Sequence, residues 1–130
     1  MPETPEATRT GPGRLLIAVY AIFAIGATSR SVVQIATRFS EAPLAYVLSA
    51  VAAVVYVLAT VALARGSRAV ATASCAFELL GVLAVGTFSL VDAEAFPDAT
   101  VWSDYGRGYL FIPLVLPVLG LLWLRRTAGR

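Results

Sequence analysis

The chain has 130 residues, of which 58% are apolar and only 14% charged, with a formal net charge of +2. Soluble domains carry about 25% charged residues, so the deficit points to lipid as the solvent for much of the surface. The small positive balance, with no basic stripe interleaved by aromatics, excludes a nucleic-acid partner; the absence of His, and a single Met at position 1, exclude haem held by His or Met, zinc held by His and a Ser–His–Asp triad.

Residues 1–13 are polar and punctuated by Pro2, Pro5, Gly11, Pro12 and Gly13, which predicts a disordered tail. The acidic Glu3 and Glu6, and an apolar stretch too long for a leader, predict an uncleaved first helix rather than a signal peptide. A membrane span needs about 20 mostly apolar residues. Four segments qualify: 14–37, 44–64, 69–91 and 108–124, with an outer loop at 92–107 and a short tail at 127–130. The expected fold class is all-α, an antiparallel bundle of four transmembrane helices, each satisfying its own backbone hydrogen bonds as hydrocarbon demands.

Arg9, Arg14, Arg65, Arg68, Arg125, Arg126 and Arg130 fall on one side of that topology, and Arg38 and Arg107 on the other, with Arg30 near them. The positive-inside rule then places both termini in the cytoplasm of a multi-pass cell-membrane protein. Phe96, Trp102, Tyr105 and Tyr109 cluster at the outer side and Trp123 lies at the inner end of the fourth segment, as an aromatic belt at each interface would have them. Pro113 and Pro117, four residues apart, predict a kink in the fourth helix.

Glu78 is the sharpest chemical feature. It lies nine residues beyond Ala69, about 13.5 Å along a helix, near the midplane of a hydrocarbon core about 30 Å thick. A carboxylate there costs several kcal/mol unless it is paired or protonated. It reads either as a proton or cation site or as a carboxyl that locks two helices together. The second is favoured because no other group in the sequence forms a relay with it. Counting from the turn Arg65–Gly66–Ser67–Arg68 puts Tyr56 at the same depth, so Tyr56 is the expected hydrogen-bond donor to Glu78. Ser49, Ala53, Tyr56 and Thr60 share a face suited to close helix packing.

Arg30 is the second feature. With Gln34 and Arg38 it forms a stripe at i, i+4 and i+8. The stripe reads as a solvated or lipid-phosphate-facing outer end of the first helix, or, more sharply, as an anion or substrate contact facing the bundle. The outer loop carries Asp92, Glu94 and Asp98 without the spacing of a calcium hand; a solvated loop is the expectation. Cys75 reads as a small buried apolar side chain.

Three stretches, CAFELLGVLAVGTFSLVD at 75–92, FPDATVWSDYGRGY at 96–109 and the PLVLPVLGLLWLRR ending at Arg126, resemble small four-helix integral membrane proteins of actinobacteria. The resemblance implies membrane location and four helices, and no activity. Small size, missing cofactor ligands and the lack of a nucleophile–base pair favour a non-enzymatic accessory or assembly subunit, with no cofactor. Its expected partners are the lipid bilayer and a membrane protein or a second copy. The rival is a small proton-coupled transporter or channel using Glu78. An enzyme acting on lipid head groups at the outer face ranks third.

Overall fold

The computed structural model describes residues 11–128. Most of the N-terminal tail and the last two residues lie outside the described residues. Four long helices form the chain: α1 (Pro12–Arg38), α2 (Pro43–Arg65), α3 (Arg68–Val91) and α4 (Ile112–Arg126). Short 3-10 turns occupy Phe39–Glu41, Ala93–Ala95 and Ser103–Tyr109, and no strand occurs among the described residues.

The helix starts follow the local chemistry. Both α1 and α2 carry Pro in the first turn, where no intrahelical donor is lost. For α1 this sets the start two residues ahead of the expected Arg14 (Pro12 and Gly13 are helical), shortening the expected tail. Gly66, at φ 71°, closes α2 in the left-handed conformation, and its N–H donates to the carbonyls of Ala62 and Leu63. The turn into α3 is therefore as short as the sequence suggests.

Three helical segments, Pro12–Glu41, Pro43–Arg65 and Arg68–Val91, are long and apolar enough to cross a membrane; a fourth qualifies if Ser103–Tyr109 and Ile112–Arg126, bent by 97°, count as one broken span. The expected continuous fourth helix at 108–124 is thus corrected. Leu110 and Phe111 stand at φ 60° and 59°, a conformation that costs an L-residue roughly 1–2 kcal/mol, and they turn the chain sharply before α4. Their apolar side chains read as helix in the sequence. The bend falls ahead of both prolines: Pro113 sits in the first turn of α4, and the helix continues through Pro117.

Packing runs α1 on α2, α2 on α3 and α3 on α4. The interior is built of small, hydroxyl-bearing and aromatic residues, among them Ala52, Ala59, Ala71, Tyr20 and Tyr56, all fully buried. Leu63 and Val82 join the core, but many of the large aliphatics face outward: Ile22, Ile25, Leu80 and Leu90 are each 60% exposed or more. In water each would forfeit roughly 25 cal/mol per Å² of exposed apolar surface. Lipid removes that penalty, and small interior residues let the helix backbones approach closely.

The segment 92–107 is only in part the solvated loop expected: Asp92 and Glu94 are exposed, but its second half is packed. Val101, Trp102, Ser103 and Gly106 are buried. The segment folds back onto α3, where two glycines leave room for it. A Cβ at Gly81 would lie 2.5 Å from Trp102 Cζ3, and one at Gly86 would lie 2.8 Å from the Tyr105 backbone nitrogen. Trp102 therefore packs inside the helices rather than in an interfacial belt, and Trp123, 8% exposed, joins the same core.

Candidate functional site

The polar centre of the molecule is assembled by three helices. Cys75 and Glu78 are one turn apart on α3 and so share a face. Tyr20 of α1 reaches them: its hydroxyl donates to Glu78 Oε1 at 2.7 Å and lies 3.3 Å from Cys75 Sγ. With the tyrosine proton given to the carboxylate oxygen, the thiol proton is the one left to donate to the tyrosine oxygen. α4 closes the group through Gly120, whose absent Cβ would stand 2.8 Å from Cys75 Sγ and 3.4 Å from the Tyr20 oxygen. Tyr20, Cys75 and Glu78 are all fully buried. Glu78 Oε2 has no hydrogen-bond partner among the described residues.

Tyr56 is not the donor to Glu78 that hairpin counting suggests. Its oxygen instead accepts the Trp102 indole N–H at 3.0 Å. Its ring stays beside the centre, 6.2 Å from that of Tyr20 and 5.5 Å from that of Phe23. Counting within α2 and α3 fixes depth but leaves out α1, which brings a competing phenol. Tyr20 and Trp102 are the residues that the sequence reading missed. One signal for Tyr20 was available: it lies eight residues from the start of α1 and Glu78 ten from the start of α3, about 12 and 15 Å from the same side.

The second polar group lies towards the C-terminal end of α1. Arg30 is exposed, and its guanidinium donates to the Tyr109 hydroxyl and to the Ala99 carbonyl at 3.5 Å. Neither partner is a carboxylate. Ser31 and Gln34 turn inward instead, at 4% and 1% exposure, and Ser31 Oγ and both amide atoms of Gln34 make no hydrogen bond among the described residues. The expected stripe Arg30–Gln34–Arg38 is therefore split: both arginines are exposed and Gln34 is buried. Arg30 and Glu78 have different partners and form no pair.

The acidic residues of the outer segment hold that segment together. Asp98 accepts from the Tyr46 hydroxyl and from the Ala99 N–H, each at 3.0 Å, and the Asp104 N–H donates to Ser89 Oγ at 2.9 Å. Asp92 and Glu94 are exposed. No group of three or more His, Cys, Asp or Glu side chains is placed to hold a metal among the described residues. Comparison of the chain with family models, with curated proteins and with solved structures finds no match.

Proposed function

We propose that the chain is a non-enzymatic accessory or assembly subunit of the cell membrane, an antiparallel bundle of four spans with both termini cytoplasmic. The observation that carries this reading is the enclosure of Glu78. The one intramembrane carboxyl is fully buried, held by Tyr20 from another helix, and lines none of the five cavities described. A carboxyl that carries protons or cations must meet water from each side in turn; a packed one ties helices together. The outward-facing aliphatics of α1, α2 and α3 suit lipid and a membrane-protein partner or a second copy.

The test is recovery of the tagged full chain from native membranes at low detergent, with its companions quantified by mass spectrometry. A stoichiometric partner is the expected result. A chain that runs alone and drives Glu78-dependent proton flux in proteoliposomes would overturn it. One observation favours that second reading, transport through Glu78: Oε2 is left without a protein partner. Under it, Glu78→Gln abolishes flux while the fold persists. Orientation is tested separately by reporters fused at each terminus; an active periplasmic reporter after Arg130 would refute it.

A further inference from the structure

Beside Arg30, between α1, α2 and the outer segment, lies a cavity of about 210 Å³. Phe23, Gly26 and Val101 contribute apolar wall, and Arg30, Ser31 and Ser49 contribute the polar groups. Three observations together identify what chemistry fits it. First, the Arg30 guanidinium holds two neutral oxygens and no carboxylate, so a positive charge stands at the rim without an anion from the chain. Its planar fork matches a phosphate bidentately. Second, Ser31 lines the cavity, is 4% exposed, and its hydroxyl has no partner among the described residues. Buried polar groups are ordinarily hydrogen-bonded, so this hydroxyl calls for an acceptor or donor that the chain does not supply. Third, the cavity opens sideways, along the lipid-facing side of α1. Gly26 is exposed and a Cβ there would meet nothing within 4 Å, and neighbouring Ile22 is 66% exposed.

We propose that this cavity binds one anionic phospholipid from the outer side of the bilayer, with its phosphate on Arg30, its glycerol-ester oxygens on Ser31 and Ser49, and the top of an acyl chain against Phe23 and Val101. The volume is below the 300–1,000 Å³ typical of sites that enclose a whole ligand. That suits a lipid whose head-proximal part alone enters while its tails stay in the bilayer. The site goes beyond the accessory reading and rests on it only for the orientation that puts Arg30 on the outer side.

The test is native mass spectrometry of the purified full chain, titrated with phosphatidylglycerol and, in parallel, with phosphatidylcholine of the same acyl chains. The expected result is one retained phosphatidylglycerol per chain in preference to phosphatidylcholine. Arg30→Gln, which removes the charge, should weaken retention at least about tenfold, the loss expected for a charge-assisted hydrogen bond. Gly26→Leu keeps the charge and fills the mouth; because the position is open, the helix should fold normally and retention should fall as far. Equal retention of the two lipids, or retention unchanged in either variant, would overturn the proposal. A loss in Arg30→Gln alone would mean surface attraction without entry into the cavity, and would overturn it as well. Full displacement by millimolar inorganic phosphate would show a bare anion site and have the same consequence. If Arg30→Gln fails to fold by circular dichroism, Gly26→Leu decides.

Discussion

The chain places polar groups among apolar helices at two depths, and treats them differently. At the centre, Tyr20, Cys75 and Glu78 come from two helices, are sealed by a third, and meet each other at hydrogen-bond distance. At a shoulder towards the far end of α1, Ser31 and Gln34 are buried as well, yet bond to nothing among the described residues, and a cavity adjoins Ser31. In hydrocarbon no water offsets an unmade hydrogen bond. Polar groups that bond one another away from any opening, as at the centre where Glu78 Oε2 alone is left over, act as fasteners between helices, whereas a polar group left unsatisfied beside an opening marks where something other than the chain fits.

Two glycines draw the contrast most strongly. Gly120→Val pushes side-chain atoms into Cys75 and Tyr20, and overpacking of this kind should cost about 3 kcal/mol in detergent melts. Gly26→Leu on the open shoulder should cost nothing and gain up to about 1 kcal/mol, since glycine weakens a helix interior. Similar losses at both positions would erase the distinction between a closed centre and an open shoulder.

Tyr20→Phe should be next in size. It leaves the Glu78 carboxyl without its one donor, a loss of about 2 kcal/mol. Glu78→Gln keeps an acceptor for Tyr20 and should melt within about 0.5 kcal/mol of the natural chain. If Glu78→Gln is the more damaging of the two, the centre needs a carboxyl for its charge and not for its hydrogen bond. Tyr56→Phe strands only the indole N–H of Trp102 and should cost about 1 kcal/mol. At the shoulder no loss is expected: Gln34→Leu replaces a buried, unbonded amide with a side chain of similar size and should be neutral or stabilising by about 1 kcal/mol. A clear destabilisation there would reveal a hydrogen bond made in the membrane.

Hydropathy made the first three helices legible to within two residues at their ends, because length and predominantly apolar character are what a bilayer selects. It misplaced the start of the fourth. Leu110 and Phe111 are as apolar as any helix residue, and only their left-handed backbone stops the helix. Glu78 was legible as the central polar residue for the same reason that made the spans visible: a lone charge in an apolar run stands out. Its partner was not. Depth counting narrowed the candidates to a layer, but choosing Tyr20 over Tyr56 depends on where α1 lies and on Trp102 taking the Tyr56 oxygen, both of which are matters of long-range packing. Trp102 and Tyr105 misled in a similar way. Aromatics beside a span are read as interfacial anchors, whereas here Trp102 is buried and Tyr105 half-buried against α3, where Gly81 and Gly86 leave room for them.

The enclosure of the Glu78 centre can be measured on the natural protein, because its one cysteine is part of that centre. Cys75 Sγ lies 3.3 Å from the tyrosine oxygen that holds Glu78, and the residue is fully buried. Reaction with a charged, membrane-impermeant thiosulfonate needs water and a thiolate. Applied to sealed native vesicles of either orientation, the reagent should leave Cys75 unmodified over a period in which the detergent-unfolded chain is fully modified. Modification of Cys75 in the intact membrane, from either side, would show a water path to Glu78 and contradict a dry, structural centre.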